Sequence, residues 1–188
     1  MADAAEIKTL GPLAALLGKW EGDKGNDRAP DDNRGVETNL FREVTVFEPT
    51  GLVQNHEQHL YGLRYRTNAW RLGEPNPFHE DIGYWLWDQS SGLVMKCFVV
   101  PRGVSVIAGG KVAGGDKKWR LLAEVGSTVF GICSSPFLSA EFKTIKYELT
   151  ITFDGADRFS YESNSVLEIK GKAGVFDHVD RNVMKRVG

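Results

Sequence analysis

The sequence predicts an all-β protein: an up-and-down antiparallel β-barrel of about ten strands, with a short helix at each end. Three observations predict it. A Gly-x-Trp (Gly18-Lys19-Trp20) follows a short apolar run, Leu10 to Leu17, near the start of the chain. Almost everything after it reads as strand and turn. The turns are short and polar, as in Gln89-Ser90-Ser91-Gly92, Ala113-Gly114-Gly115-Asp116 and Asp154-Gly155-Ala156-Asp157, so successive strands join as hairpins. A meander of this length closes into a barrel with room for one small ligand.

Composition agrees with one domain spanning residues 1–188. Hydrophobic residues make up 41% and aromatics 11%, enough for a core, and 26% charged residues read as a soluble globular surface. A formal net charge of −2 argues against a polyanion, so no nucleic acid is expected as a partner. Lys170, Lys172, Arg181, Lys185 and Arg186 read as a solvated basic surface. Leu10 to Leu17 contains Pro12, is too short to span a bilayer and lacks a signal-peptide pattern, so no membrane is expected and the cytoplasm is the expected location. Cys97 and Cys133 lack paired-ligand spacing and read as two buried free thiols. The sequence leaves room for a homodimer.

The elements follow in order. One helical turn leads into the first strand, where the Trp20 indole closes one barrel end and glycine lets the backbone pass beneath it. Asp23 to Gly35, rich in Gly, Asn, Asp and Pro, reads as a long loop. Thr38 to Glu48 alternates in part, and Leu52 to Trp70 is a long strand or bent pair whose Tyr61, Leu63 and Tyr65 share a face. Phe78 to Asp88 pairs with Leu93 to Val100, Val104 to Val112 with Trp119 to Val125, and Lys143 to Phe153 with Phe159 to Lys170. In Phe176 to Val187 the period changes. Val179, Val183, Met184 and Val187 are spaced for one side of a short helix, with Asp177 as N-cap.

Four histidines are the candidates for chemistry. His56 and His59 are three apart on a strand, so they point to opposite faces and read as surface residues. His79 reads as a strand-end histidine beside a carboxylate. His178 lies where the last strand gives way to the terminal helix, near a barrel opening, and taken alone reads as an exposed histidine. The paired glycines at Gly109-Gly110 and Gly114-Gly115 lack phosphate-loop spacing, and adjacent acids such as Glu80-Asp81 splay apart; no hydrolase arrangement stands out.

Three motifs, in order, are similar to a known family. Gly18, Trp20 and Gly22 match its Gly-x-Trp-x-Gly-x-Gly-x-Gly opening, with Lys24 and Asn26 at the last two glycine positions. Gly73-Glu74-Pro75, Phe78-His79-Glu80 and Gly83-Tyr84 match its middle segment, and His178-Val179 with the apolar stretch to Met184-Lys185 matches its end. The chain resembles the nitrobindin-like heme-binding β-barrels, which include the C-terminal domain of THAP-type proteins and are distant structural relatives of fatty-acid-binding proteins.

The resemblance implies heme b as cofactor, with His178 as axial ligand to iron and His79 lining the same pocket. Trp20 and Phe176 join them as expected cofactor-binding residues. It implies nitric oxide as a diatomic partner, and isomerisation of peroxynitrite to nitrate at the ferric form. Because a protonated imidazole cannot ligate, heme affinity is expected to fall below roughly pH 6.5. Two other readings stay open. One is a metal-free carrier of a lipid or other small hydrophobic ligand, the other a barrel filled by its own aromatic side chains and used as an interaction module.

Overall fold

Residues 4–187 are described by a computed structural model, with side-chain surroundings from Ile7 onward. A short helix α1 (Ala4–Thr9) and a 3-10 turn (Gly11–Ala15) precede eleven strands. These are β1 (Gly18–Pro30), β2 (Val36–Asn55), β3 (Gln58–Arg71), β4 (His79–Asp88), β5 (Leu93–Val100), β6 (Val104–Lys111), β7 (Lys118–Val125), β8 (Gly131–Ser134), β9 (Phe142–Phe153), β10 (Arg158–Ile169) and β11 (Phe176–Arg186). A second helix, α2 (Pro136–Glu141), lies between β8 and β9. The sheet is a closed barrel in which β1 pairs with both β2 and β11. Only the four-residue β8 departs from the meander: it lies antiparallel to β6 and parallel to β7.

The largest departure from the sequence reading is β11. Phe176 to Arg186 is a strand rather than a terminal helix, paired with β1 from Trp20↔Arg186 to Arg28↔Val179 with one register shift, and with β10 from Phe176 to Lys185. Its apolar spacing fits a helix, but its inward positions are Phe176, His178, Asp180, Asn182 and Met184, mostly polar, which hides the two-residue period. A helix there would leave the edges of β1 and β10 unpaired, and closure outweighs the local pattern.

The expected loop at Asp23 to Gly35 is also mostly strand, because β1 continues to Pro30. Its buried positions are Trp20, Gly22, Gly25, Asp27 and Ala29, again too small or polar to read as alternation. A register shift between Gly22 and Gly25 changes the phase midway. That shift answers the two missing motif glycines: Lys24 and Asn26 face solvent, and Gly25 turns inward instead. A Cβ at Gly25 would sit 2.5 Å from the Phe41 ring, so the ring's seat requires glycine. What remains of the loop is a tight turn in which Asp31 Oδ1 accepts from the backbone N–H of Asn33 and Gly35. Cys133 is exposed and Cys97 half-buried, correcting the expectation of two buried thiols; each side chain follows the phase of its strand.

One end of the barrel is closed and packed. Leu10, Leu13 and Leu16 of the N-terminal lead are at most 1% exposed and sit in one cluster with Trp20, Phe47, Leu63, Trp85, Trp119, Phe159 and Met184. The Trp20 indole N–H donates to Leu16 O at 2.7 Å, tying the plug to the strand it seals. Arg186, read as a solvated cation, instead lies 4.4 Å over the Trp20 ring and donates to the carbonyls of Leu17 and Ala15. Trp20→Ala should therefore cost about 3–5 kcal/mol of stability, measured as a lowered denaturant midpoint with the slope retained.

Candidate functional site at the barrel mouth

The opposite end is the mouth. Here β1 ends and β11 begins, with the turns at residues 31–35, 72–78, 101–103 and 170–175 around the rim. Asp27 on β1 stands directly across from Asp180 on β11, and both face inward. His178 lies two residues nearer the rim on the same face. Its Nε2 is 3.0 Å from Asp27 Oδ1 and 3.9 Å from Asp180 Oδ1. Asp27 is only 2% exposed and its other oxygen accepts from Asn39 Nδ2; Asp180 accepts from Ser163 Oγ.

These three groups set one another's protonation. Burial would push the Asp27 carboxyl up, but the hydrogen bond and charge of His178 outweigh it, and the net shift is downward. Burial would lower His178, yet the bond to Asp27 and the charges of Asp180 and Asp27 win and raise it. Asp180 shifts the other way from Asp27. Burial and the neighbouring Asp27 charge push it up to about 7, against the pull of His178.

His79 opens β4 at the same end, opposite Ala69 of β3, with Nε2 4.0 Å from Asp81 Oδ1. Burial lowers its pKa, and Arg102, Lys96 and His178 add to the effect against Asp81. Ala29, Phe41, Ala69, Leu167 and Ile169 are buried around the mouth, outside the main core cluster. Phe41 meets Phe78 edge-on at 5.9 Å, and Arg28 covers Phe176 at 4.6 Å. Arg34 and Arg71 sit at the rim, paired to Glu141 and Glu37, and Arg102 donates to Phe78 O.

One level deeper, a polar layer crosses the interior. Glu43 accepts from Tyr161 Oη (2.6 Å), Asn182 Nδ2 (3.1 Å) and Thr45 Oγ1 (3.1 Å), and burial raises its pKa. Beside it Asp81 accepts from Tyr65 Oη at 2.5 Å and pairs with Lys96 Nζ at 3.2 Å. Burial opposes both charges of that pair, but mutual attraction prevails: Asp81 is lowered and Lys96 raised.

The mouth thus unites His178, His79 and Phe176. Trp20 does not join them, since the β1–β11 register places it opposite Arg186 at the closed end. His56 and His59 lie at the exposed β2–β3 hairpin, also away from the mouth, where His59 contacts Gln54. Sequence reasoning missed Asp27, Asp180, Glu43, Asp81 and Lys96. Their one signal was a charge at an inward phase of a strand, visible only once the phase is fixed. A cleft of about 1070 Å³ lies on the outer wall instead, between Val46, Ile82, Tyr84, Val99, Ile107 and Val129, and holds none of the mouth residues.

The family model of the THAP4-like, heme-binding beta-barrel domain matches residues 9–186. The chain belongs to that family. As a THAP4-like barrel it also matches the crystal structure of Rv2717c from M. tuberculosis, with a TM-score of 0.66 and 20% identity over 100% of both chains. At that identity the likeness is one of fold. A search of curated proteins finds no match.

Two measurements test this electrostatic picture. Lys96→Met leaves Asp81 buried without its cation and should cost about 3–5 kcal/mol, whereas Lys96→Met with Asp81→Leu should recover much of the loss, as read by urea denaturation. Asp180 holds its proton more tightly folded than unfolded, so its contribution to stability is complete below its usual 3.8 and is lost as pH rises through about 7. Asp180→Asn should therefore gain on wild type as pH increases from about 5 to about 8 in parallel melts.

Proposed function

We propose that the mouth binds heme b, with His178 as the axial ligand, and that this mouth serves nitric oxide binding and peroxynitrite isomerisation. The observation that carries the reading is an inward-facing, half-buried imidazole at the end of the barrel away from the plug, in a chain whose family binds heme. The donor set fits. An imidazole suits heme iron, the buried ring of Ala29, Phe41, Ala69, Leu167 and Ile169 suits a flat apolar macrocycle, and rim cations such as Arg102 suit its propionates. When bound, the cofactor would supply iron chemistry suited to a diatomic gas and, in the ferric form, to peroxynitrite.

The chain's own residues set the terms. His178 would hold the iron only as neutral imidazole, and its Nε2 is engaged by Asp27. The groups facing it are Asp27 from β1, Asp180 from its own strand, and Arg102, with His79 close enough to feel its charge. The acids prevail and hold the imidazolium above its ordinary 6.5, so proton and iron compete at a higher pH than the free residue implies. His79, lowered by burial, stays neutral at pH 7 and can offer a hydrogen bond within the mouth. Phe176 beneath Arg28 would wall one side. The polar layer limits depth: an acyl chain would have to pass Glu43, Asp81 and Lys96, which disfavours a fatty-acid carrier.

Hemin titration tests the reading. The wild-type Soret shift should be lost in His178→Ala; an unchanged spectrum removes His178 as ligand. Wild-type affinity should fall as pH drops through a midpoint above 6.5, by up to about tenfold per pH unit. Asp27→Ala frees Nε2 and should raise hemin affinity at pH 7 by about 3–10-fold, moving that midpoint downward.

A further inference from the structure

We infer that Asp27, His178 and Asp180 form a binding site for one divalent transition-metal ion at the barrel mouth. The inference stands apart from heme binding, although both use His178. It begins with register. Asp27 and Asp180 are a direct cross-strand pair with both carboxylates turned inward, an arrangement that like charges disfavour. Among the described residues neither makes an ion pair with a lysine or arginine; His178 is the shared partner of both. The nearby cations are engaged elsewhere: Lys96 with Asp81, Arg28 with Asp177 O, Arg34 with Glu141 and Arg71 with Glu37. His178 is the one cationic side chain that pairs with both carboxylates, and a divalent ion between them would take over that role.

The geometry is that of a ligand set. One nitrogen and two carboxylate oxygens lie within 4.8 Å of one another, with the histidine nitrogen 3.0 and 3.9 Å from the two oxygens. Donors around an ion with bonds of about 2.0–2.2 Å stand about 3.0–3.5 Å apart, so small side-chain shifts suffice. Asn39 and Ser163 hydrogen-bond the two carboxylates from outside, as supports for metal ligands do. The buried Asp27 forms the floor, while His178 and Asp180 are partly open toward the mouth, leaving coordination positions for water or a small anion. One imidazole with two carboxylates suits zinc, iron(II) or manganese(II) rather than a soft ion. Because the ion would take the Nε2 that heme iron needs, the two ligands exclude each other.

Chelator-treated full-length protein titrated with Zn2+ by calorimetry tests the site, with Co2+ visible absorption as an independent readout. Wild type should bind one zinc per chain and develop cobalt d–d bands. Asp27→Asn, Asp180→Asn and His178→Ala should each weaken zinc by at least about 100-fold and abolish the bands. Far-UV circular dichroism checks that each variant is folded, and the near-isosteric Asp→Asn changes keep the test valid should His178→Ala unfold. Zinc preloading should block the hemin Soret shift in wild type but not in Asp180→Asn. Zinc binding that is absent in wild type, or undiminished in both Asp→Asn variants, overturns the inference. Hemin binding without zinc binding leaves the heme reading standing alone, and zinc binding without hemin binding does the reverse.

Discussion

The pairing of the first strand with the last is the constraint on which the rest depends. Without β1–β11 the sheet has two open edges, Trp20 has no Arg186 above it, and Asp27 has no His178 beside it. The pairing joins residues about as far apart in sequence as the chain allows, so its loop-closure cost falls late and is offset by many contacts at once. The plug and the mouth are two ends of the same ladder, with Trp20↔Arg186 at the base and Arg28↔Val179 near the rim. The side chains at one end are held in place by packing at the other.

Much of the fold was legible in the chain. The plug at Trp20, most of the hairpins and the shared face of Tyr61, Leu63 and Tyr65 follow from apolar spacing and turn chemistry, and the structure bears them out; the expected β6–β7 hairpin is reduced to one pair, Gly109↔Leu122, because β8 lies between those strands. β11 and the far half of β1 were illegible for one physical reason. Their inward residues are Gly25, Asp27, His178, Asp180 and Asn182, so the alternation that marks a half-buried strand is absent where the wall carries polar groups. His178 and His79 were visible as candidates through motif likeness, and the structure brings them to one end. Their acidic neighbours were not, because Asp27 comes from a strand that reads as loop, and its contact with His178 spans 151 positions.

On the proposed readings, one nitrogen at the mouth would serve two uses. Asp27 stabilises the charged imidazolium of His178, whereas ligation needs the neutral ring. A carboxylate that hydrogen-bonds a ligating histidine through its far nitrogen strengthens it; one that engages the ligating nitrogen competes with the metal. Nε2 is the atom toward Asp27, which puts this chain in the competitive arrangement unless the ion sits between the two groups. Asp180 stands 3.9 Å from the same nitrogen and shares that histidine with Asp27.

The polar layer of Glu43, Tyr161, Asn182, Asp81, Tyr65 and Lys96 divides the interior like a bulkhead. Beneath it lies a tryptophan-rich keel that accounts for cohesion; above it Ala29, Phe41, Ala69, Leu167 and Ile169 surround His178 and Asp27, the cup that the proposed reading uses for recognition. Substitutions that re-line the cup need not disturb the keel, because the partition satisfies its own charges and hydrogen bonds. Descendants of such a barrel could thus exchange one guest for another through a few rim changes while the hull stays sound.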